Sequence, residues 1–276
     1  MSTESTAEDQ FTFARFAQEK FYDEVNRLLV ALARLVSGQR VAELGAGTGA
    51  VTKLIAQEIA GGDAEVLAIE PSETAIEIAR RNLAEVRGVV VRLIQGSAEM
   101  LGQLVNPDSV DVMFFCNAIH LVREKEQVLR DIRQTLREDG TFSFNTSFYA
   151  GAEPPEAELF YRKWMMRSLR YLKSSYGMMP DKTRAEARHR LTEEEYIRLL
   201  ESNDFRIRDK EVVQVQMPLS GFEAISEYSL WIEGVLPGVP LAAGSQALKE
   251  GARQAFEELG ITESPRNWLM VVAQRV

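Results

Sequence analysis

Residues 40–50 read Arg40-Val41-Ala42-Glu43-Leu44-Gly45-Ala46-Gly47-Thr48-Gly49-Ala50. Arg40 to Leu44 has the composition of a short buried strand that Gly45 ends, and Val51 to Ala60 that of the helix after it. Glycines between a strand and a helix permit a tight turn and let a ligand approach backbone N–H groups at a helix N-terminus. That place favours a carboxylate or a phosphate. Gly45, Gly47 and Ala50 also fit the dinucleotide pattern G-x-G-x-x-G/A. Glu43, two residues before the first glycine, weighs against that pattern. A carboxylate beside the cradle repels a pyrophosphate and attracts an ammonium, so a ligand carrying both a carboxylate and an ammonium fits better. Glu70 ends the next strand, at about the 20-residue spacing where an acidic group meets ribose hydroxyls.

Outward from this turn, strands and helices alternate. Upstream, Phe11 to Val36 carries a helical face of Phe16, Val25, Leu28, Leu29, Leu32 and Leu35, stopped by Gly38. Residues 1–10 read as a loose polar tail. Downstream come a strand at Glu65 to Ile69, a helix opened by Pro71, and a strand at Val89 to Ile94. A short helix around Ala98 to Leu104 leads to Val110 to Cys116, an almost continuous apolar run suited to the middle of a parallel sheet. Glu124 to Leu136 is helical, Asp139-Gly140 reads as a turn, and Thr141 to Thr146 is a fifth strand. This rhythm predicts an α/β chain with right-handed βαβ units and a doubly wound, mostly parallel sheet.

The rhythm breaks after Ala150. Residues 151–190 are expected to form a helical cap insertion, and 191–217 a core helix and strand. A second helical insertion is expected at 218–262, and a closing core strand at 263–276, centred on Trp268 to Val276. Residues 1–36 are assigned to a tail and lid helix, and 37–150 to a cofactor-binding core.

Composition excludes several classes. With 276 residues, 45% apolar and 26% charged, the chain has the balance of a globule with a sizeable core, not of a fibre or a disordered chain. No apolar run reaches the roughly 18 residues of a membrane span. The start, MSTESTAEDQ, lacks the basic and apolar regions of a signal peptide. One cysteine, Cys116, permits no internal disulfide, so a reducing, cytoplasmic location is expected. With two histidines, His120 and His189, a zinc site of the usual kind is not expected, and no metal is assigned. A net charge of -9 disfavours nucleic acid and anionic membrane as partners. The sequence leaves the oligomeric state open, a homodimer included.

Five segments together resemble the class I S-adenosylmethionine-dependent methyltransferases of the small-molecule type. They are VAELGAGTG (Val41 to Gly49), VLAIEPS (Val66 to Ser72), GSAEM (Gly96 to Met100), VDVMFFCNAIHLV (Val110 to Val122) and LREDG (Leu136 to Gly140). The resemblance covers about residues 37–147 and the closing strands. It implies a seven-stranded Rossmann-like methyltransferase sheet with helical cap insertions, and S-adenosyl-L-methionine as cofactor. Gly45, Ala46 and Gly47 would bring backbone against the methionyl carboxylate and sugar, and Glu43 would orient the ammonium. Glu70, with Pro71 beside it, would chelate the ribose hydroxyls. Ser97 and Ala98 would meet the adenine edge. Ser97 stands where aspartate is common, which shifts recognition of the adenine amino group toward Glu99. Asn117 would contact the methionyl group or the acceptor.

The acceptor is expected to be a small apolar or aromatic molecule in a capped pocket, methylated on O, N or C. His120, three residues beyond Asn117, has two readings: general base for the acceptor, or loop packing. Tyr149 and the tyrosines of the cap are rival bases. Cys116 reads as core and His189 as surface. Phe160 to Lys173 mixes aromatic, Met and basic residues at helical spacing. It reads as an amphipathic cap helix with a solvated basic face, or as the adaptable wall of a pocket. Phe11 to Tyr22 and Gly151 to Met179 together are expected to form a movable lid. Two further function classes remain: an NAD(P)-dependent oxidoreductase, which would need a Tyr-x-x-x-Lys pair not evident here, and a non-catalytic binder of the same fold.

Overall fold

The structure is a computed structural model that describes residues 11–181 and 190–276. His189, expected at the surface, lies outside the described residues. Helix α1 (Lys20–Ala33) leads into β1 (Arg40–Leu44), α2 (Ala50–Ile59), β2 (Glu65–Glu70), α3 (Glu73–Asn82) and β3 (Val90–Gln95). Then come α4 (Leu101–Leu104), β4 (Val110–Cys116), α5 (Lys125–Thr135) and β5 (Leu136–Thr146). The remainder is α6 (Glu158–Tyr176), α7 (Glu193–Glu201), β6 (Phe205–Pro218), α8 (Leu219–Ile225), α9 (Ser229–Val235), α10 (Leu241–Leu259) and β7 (Glu263–Arg275).

The strands form one seven-stranded sheet in the order β3-β2-β1-β4-β5-β7-β6. β1 pairs in parallel with β2 on one side and β4 on the other, and β5 pairs antiparallel with β7. The winding therefore reverses between β1 and β4, and the carboxyl ends of these strands border the crevice where open α/β sheets hold their ligands. Alternate residues of β1, β2, β4, β5 and β7 feed one core: Ala42 and Leu44, Leu67 and Ile69, Met113 and Phe115, Phe142 and Phe144, Leu269 and Val271. Leu101, Val128, Ile132, Tyr196 and Leu200 from α4, α5 and α7 complete that layer.

The chain divides into two compact units. The larger comprises residues 22–152, 190–213 and 267–276. The smaller gathers the described residues of 1–21, 153–189 and 214–266. In the smaller unit α6 packs along α10, where a Cβ on Gly251 would sit 2.1 Å from Ser168 Oγ. That helix pair therefore requires glycine at this crossing. Trp164 donates its Nε1 hydrogen to the Leu248 carbonyl across the same pair, at 2.8 Å.

Three expected elements differ. The helix expected over Phe11 to Val36 is a 3-10 turn at Phe16–Gln18 followed by α1, because Glu19 is extended at φ -67, ψ 137. The turn expected at Asp139-Gly140 falls inside β5, where Asp139 takes φ +60 and the register with β4 shifts between Val110 and Val112. β7 fills the closing 263–276 segment from Glu263 to Arg275, starting five residues ahead of the strand read at Trp268 to Val276.

Candidate functional site

The turn after β1 is built on three left-handed glycines, Gly45 (φ +68), Gly47 (φ +55) and Gly49 (φ +82). The N–H groups of Gly45 and Ala46 both donate to the Ile69 carbonyl at 2.8 and 3.1 Å, which ties the turn to the end of β2. Glu70, the next residue, binds the turn from the other side. Its two carboxylate oxygens accept the N–H of Gly47 at 2.8 Å and of Ser72 at 3.0 Å. Those bonds favour the ionised carboxylate, yet burial is the larger effect and the pKa of Glu70 is raised. Pro71 is exposed at the start of the α3 connection, where Ser72 caps the helix by accepting the Ala75 N–H.

Glu43 is buried in β1, with 1% of its surface exposed. Its carboxylate accepts the Thr52 hydroxyl of α2 at 2.6 Å. Burial pushes its pKa up to about 8, against the lowering effect of the Thr52 bond and with the charge of Glu70 adding to the rise. The two carboxyl groups thus lie in one small region, near enough for the charge of Glu70 to act on Glu43. A cation placed there would stabilise both.

The end of β4 closes the other side. A Cβ on Gly45 would come 3.1 Å from the Ala118 Cβ, whereas one on Gly47 would meet nothing within 4 Å. The turn is therefore packed at Gly45 and open at Gly47. Asn117 takes φ +49 and is held by a chain of amides that the sequence reading missed. Its Oδ1 accepts the Ser147 N–H at 2.9 Å, and its N–H donates to Asn145, to Oδ1 at 2.8 Å and to the main-chain carbonyl at 2.9 Å. Asn145 Nδ2 in turn donates to Asn26 Oδ1 of α1 at 2.9 Å. All four residues are buried. Among the described residues the Asn117 Nδ2 has no hydrogen-bond partner.

His120 lies on the short turn Ile119–Leu121, half-buried. Its ring stacks on Phe148 at 4.3 Å and 28°, and its Nδ1 is 3.3 Å from Thr146 Oγ1. Neither Phe148 nor Thr146 was read from the sequence as a site residue. Ser97 and Ala98 are half-buried at the turn after β3, where the Gly96 N–H donates to the Glu70 carbonyl at 3.1 Å. Glu99 is exposed. Tyr149 is buried within the core layer under the sheet. In the smaller unit, Tyr161 accepts from Arg266 at 3.0 Å. Cys116 is buried, and its thiol pKa is raised well above normal by burial and by the charge of Glu43. Among the described residues no cluster of His, Cys, Asp and Glu could hold a metal ion.

The sequence profile of a methyltransferase domain matches residues 35–204, well over half of the chain. The chain belongs to the S-adenosylmethionine-dependent methyltransferases. An arsenite methyltransferase of Mus musculus is 27% identical over 124 residues, 42% of this methyltransferase and 32% of that protein. This methyltransferase thus spans about a third of that relative's length. Among solved structures, the YcgJ protein of Bacillus subtilis superposes with a TM-score of 0.56 at 19% identity, covering 91% of this chain and 98% of that one. Geranyl diphosphate methyltransferase, solved with its substrate and sinefungin, gives 0.52 at 16% identity, with 96% and 82% covered. At these identities the superpositions establish the shared fold.

S-adenosylmethionine is the cofactor of this family, and the site fits it. The two buried carboxylates, the open face at Gly47 and the unpartnered amide of Asn117 suit a ligand with an ammonium, a carboxylate and ribose hydroxyls. Glu43, Gly45, Ala46, Gly47, Glu70 and Asn117 are the residues that the structure gathers around this cradle. Ser97 and Ala98 adjoin it through Gly96. Pro71 and Glu99 stand at its exposed margin.

Proposed function

We propose that this methyltransferase moves a methyl group to a small-molecule acceptor that binds in a largely apolar pocket over the β4 end. The observation that carries the reading is the buried Asn117 Nδ2. A buried donor without a protein partner is uncommon, and this one lies beside the glycine turn where a ligand would satisfy it. Bound S-adenosylmethionine supplies an electrophilic methyl group on a sulfonium. The chain's own part is to hold, orient and exclude water. Glu43 would hold the ammonium, Glu70 the ribose hydroxyls, and Asn117 a polar atom of cofactor or acceptor. His120, on its Phe148 platform, would engage the acceptor. Alignment of the reactants in such a site supplies much of the acceleration.

The acceptor class follows from what the chain lacks and what its relatives act on. The charge of -9 argues against nucleic acid. The names of the related proteins, arsenite and geranyl diphosphate methyltransferases, point to small molecules. Arsenite itself does not carry over. A soft metalloid is held by thiolates, and the single cysteine is buried with its thiol form favoured.

The test uses S-adenosylmethionine labelled in the methyl group, incubated with the chain and panels of small carboxylates, phenols and amines, with RNA and with protein. Label transferred to a small molecule is the expected result. Label found only in RNA or protein would overturn the acceptor class.

A further inference from the structure

Thr146 ends β5 and is fully buried. Its Oγ1 makes two contacts: it accepts the Phe148 N–H at 3.0 Å, and it lies 3.3 Å from His120 Nδ1. A hydroxyl has one hydrogen to give and two lone pairs. Were Nδ1 protonated, two donors would point at the oxygen, and its own buried hydrogen would have no acceptor among the described residues. With the Thr146 hydrogen given to Nδ1, the Phe148 amide, the hydroxyl and the ring nitrogen are all satisfied. Nδ1 is then bare, and the neutral ring carries its proton on Nε2, the nitrogen on the other side of the ring. The Phe148 ring, stacked 4.3 Å away, holds the imidazole plane.

We propose that Thr146 is a positioning residue that fixes His120 as the Nε2–H tautomer, so that the imidazole meets the acceptor as a hydrogen-bond donor. The proposal rests on the methyltransferase reading of this site. A histidine that works as a base at Nε2 has its Nδ1–H tied to a carboxylate or carbonyl. Here Nδ1 faces a hydroxyl that already accepts the Phe148 N–H and still has its own hydrogen to place. The base expected at His120 therefore gives way to a donor. A donor suits an acceptor that arrives with a free lone pair and needs no deprotonation, and the class we assign is a small-molecule carboxylate. One carboxylate oxygen would accept a hydrogen bond from Nε2–H, and the other would attack the methyl carbon, so that the ester C–O bond forms as the methyl–sulfur bond breaks and S-adenosylhomocysteine leaves as a neutral thioether.

The ring's protonation can be read directly. The chain has two histidines, so His189→Gln leaves one ring to observe. Two-bond proton–nitrogen correlations of the histidine-labelled chain, at a pH where the ring is neutral, are expected to show Nε2 protonated and Nδ1 bare. Thr146→Ser should keep that pattern. Thr146→Val should shift it toward Nδ1–H. Protonated Nδ1 in the parent would overturn the proposal, as would an unchanged spectrum in folded Thr146→Val. If Thr146→Val does not fold, the parent spectrum alone decides. Calorimetric binding of S-adenosylmethionine to the same sample reports separately on the methyltransferase reading, so the two failures are distinguishable.

Discussion

Glu43 is a carboxyl group that the fold makes reluctant to ionise. Burial raises its pKa to about 8, above the ordinary carboxylate value. Its contribution to stability is therefore full below the ordinary range and declines as pH rises toward about 8, where the desolvated carboxylate forms. A bound ammonium reverses the preference, because an opposite charge favours the ionised form. Binding of S-adenosylmethionine between about pH 5 and 8 should therefore release a proton from Glu43. Titration calorimetry in two buffers of different ionisation enthalpy measures that release, and Glu43→Gln should abolish it. Equal heats in both buffers would remove Glu43 from the ammonium site. The same scale shows what the sequence left hidden. Glu43 and Glu70 were legible because a glycine turn and strand ends mark their places. Asn26, Asn145 and Thr146 were not, since small polar residues within apolar elements carry no pattern of their own. Their meaning comes from neighbours 119, 28 and 26 residues away. Asn145→Ala should lower stability by about 1–3 kcal/mol, because it takes the donor from the buried Asn26 Oδ1, while the Asn117 N–H keeps the main-chain carbonyl of residue 145. Thermal unfolding with no change in midpoint would contradict this.

At the scale of the element, the turn from β1 to α2 has two unequal glycines. Both have positive φ, so alanine at either is strained, by about 1 kcal/mol. Gly47→Ala adds only that strain, because nothing lies within 4 Å of the new Cβ. Gly45→Ala also brings its Cβ 3.1 Å from that of Ala118, which the end of β4 must yield to accommodate. Gly45→Ala should therefore unfold at a lower temperature than Gly47→Ala, while both weaken cofactor binding. The reverse order of midpoints would contradict the packing described for the β4 end. β1, β2 and β4 were readable from sequence because parallel strands buried on both faces are short apolar runs between glycine and proline breaks. The start of α1 and the form of the Asp139-Gly140 bend were not. Each depends on one residue's backbone angles, at Glu19 and Asp139, and neither residue type dictates them.

For the whole molecule, the alternation of strands and helices made the doubly wound sheet legible. The smaller unit was harder to foresee, because it assembles three segments separated in sequence. Its α6–α10 pair depends on Gly251 meeting Ser168, a long-range match with no local sign. The sequence expectation that Phe11 to Tyr22 and Gly151 to Met179 form a movable lid is testable in solution. Hydrogen exchange in both should slow on adding cofactor with acceptor, and equal exchange with and without ligands would count against a lid. Among the described residues no helix is long and apolar enough to cross a membrane. The central claim is that the glycine turn, with Glu43 and Glu70, is a cradle for S-adenosylmethionine. Calorimetric titration of S-adenosylmethionine into the chain and into Glu70→Ala, with NADH as control, tests it most directly. Loss of a charged acceptor should cost about 1.5–3 kcal/mol, or roughly 10- to 150-fold in affinity, and NADH should not bind. Unchanged affinity in folded Glu70→Ala, or tight binding of NADH, would contradict the account.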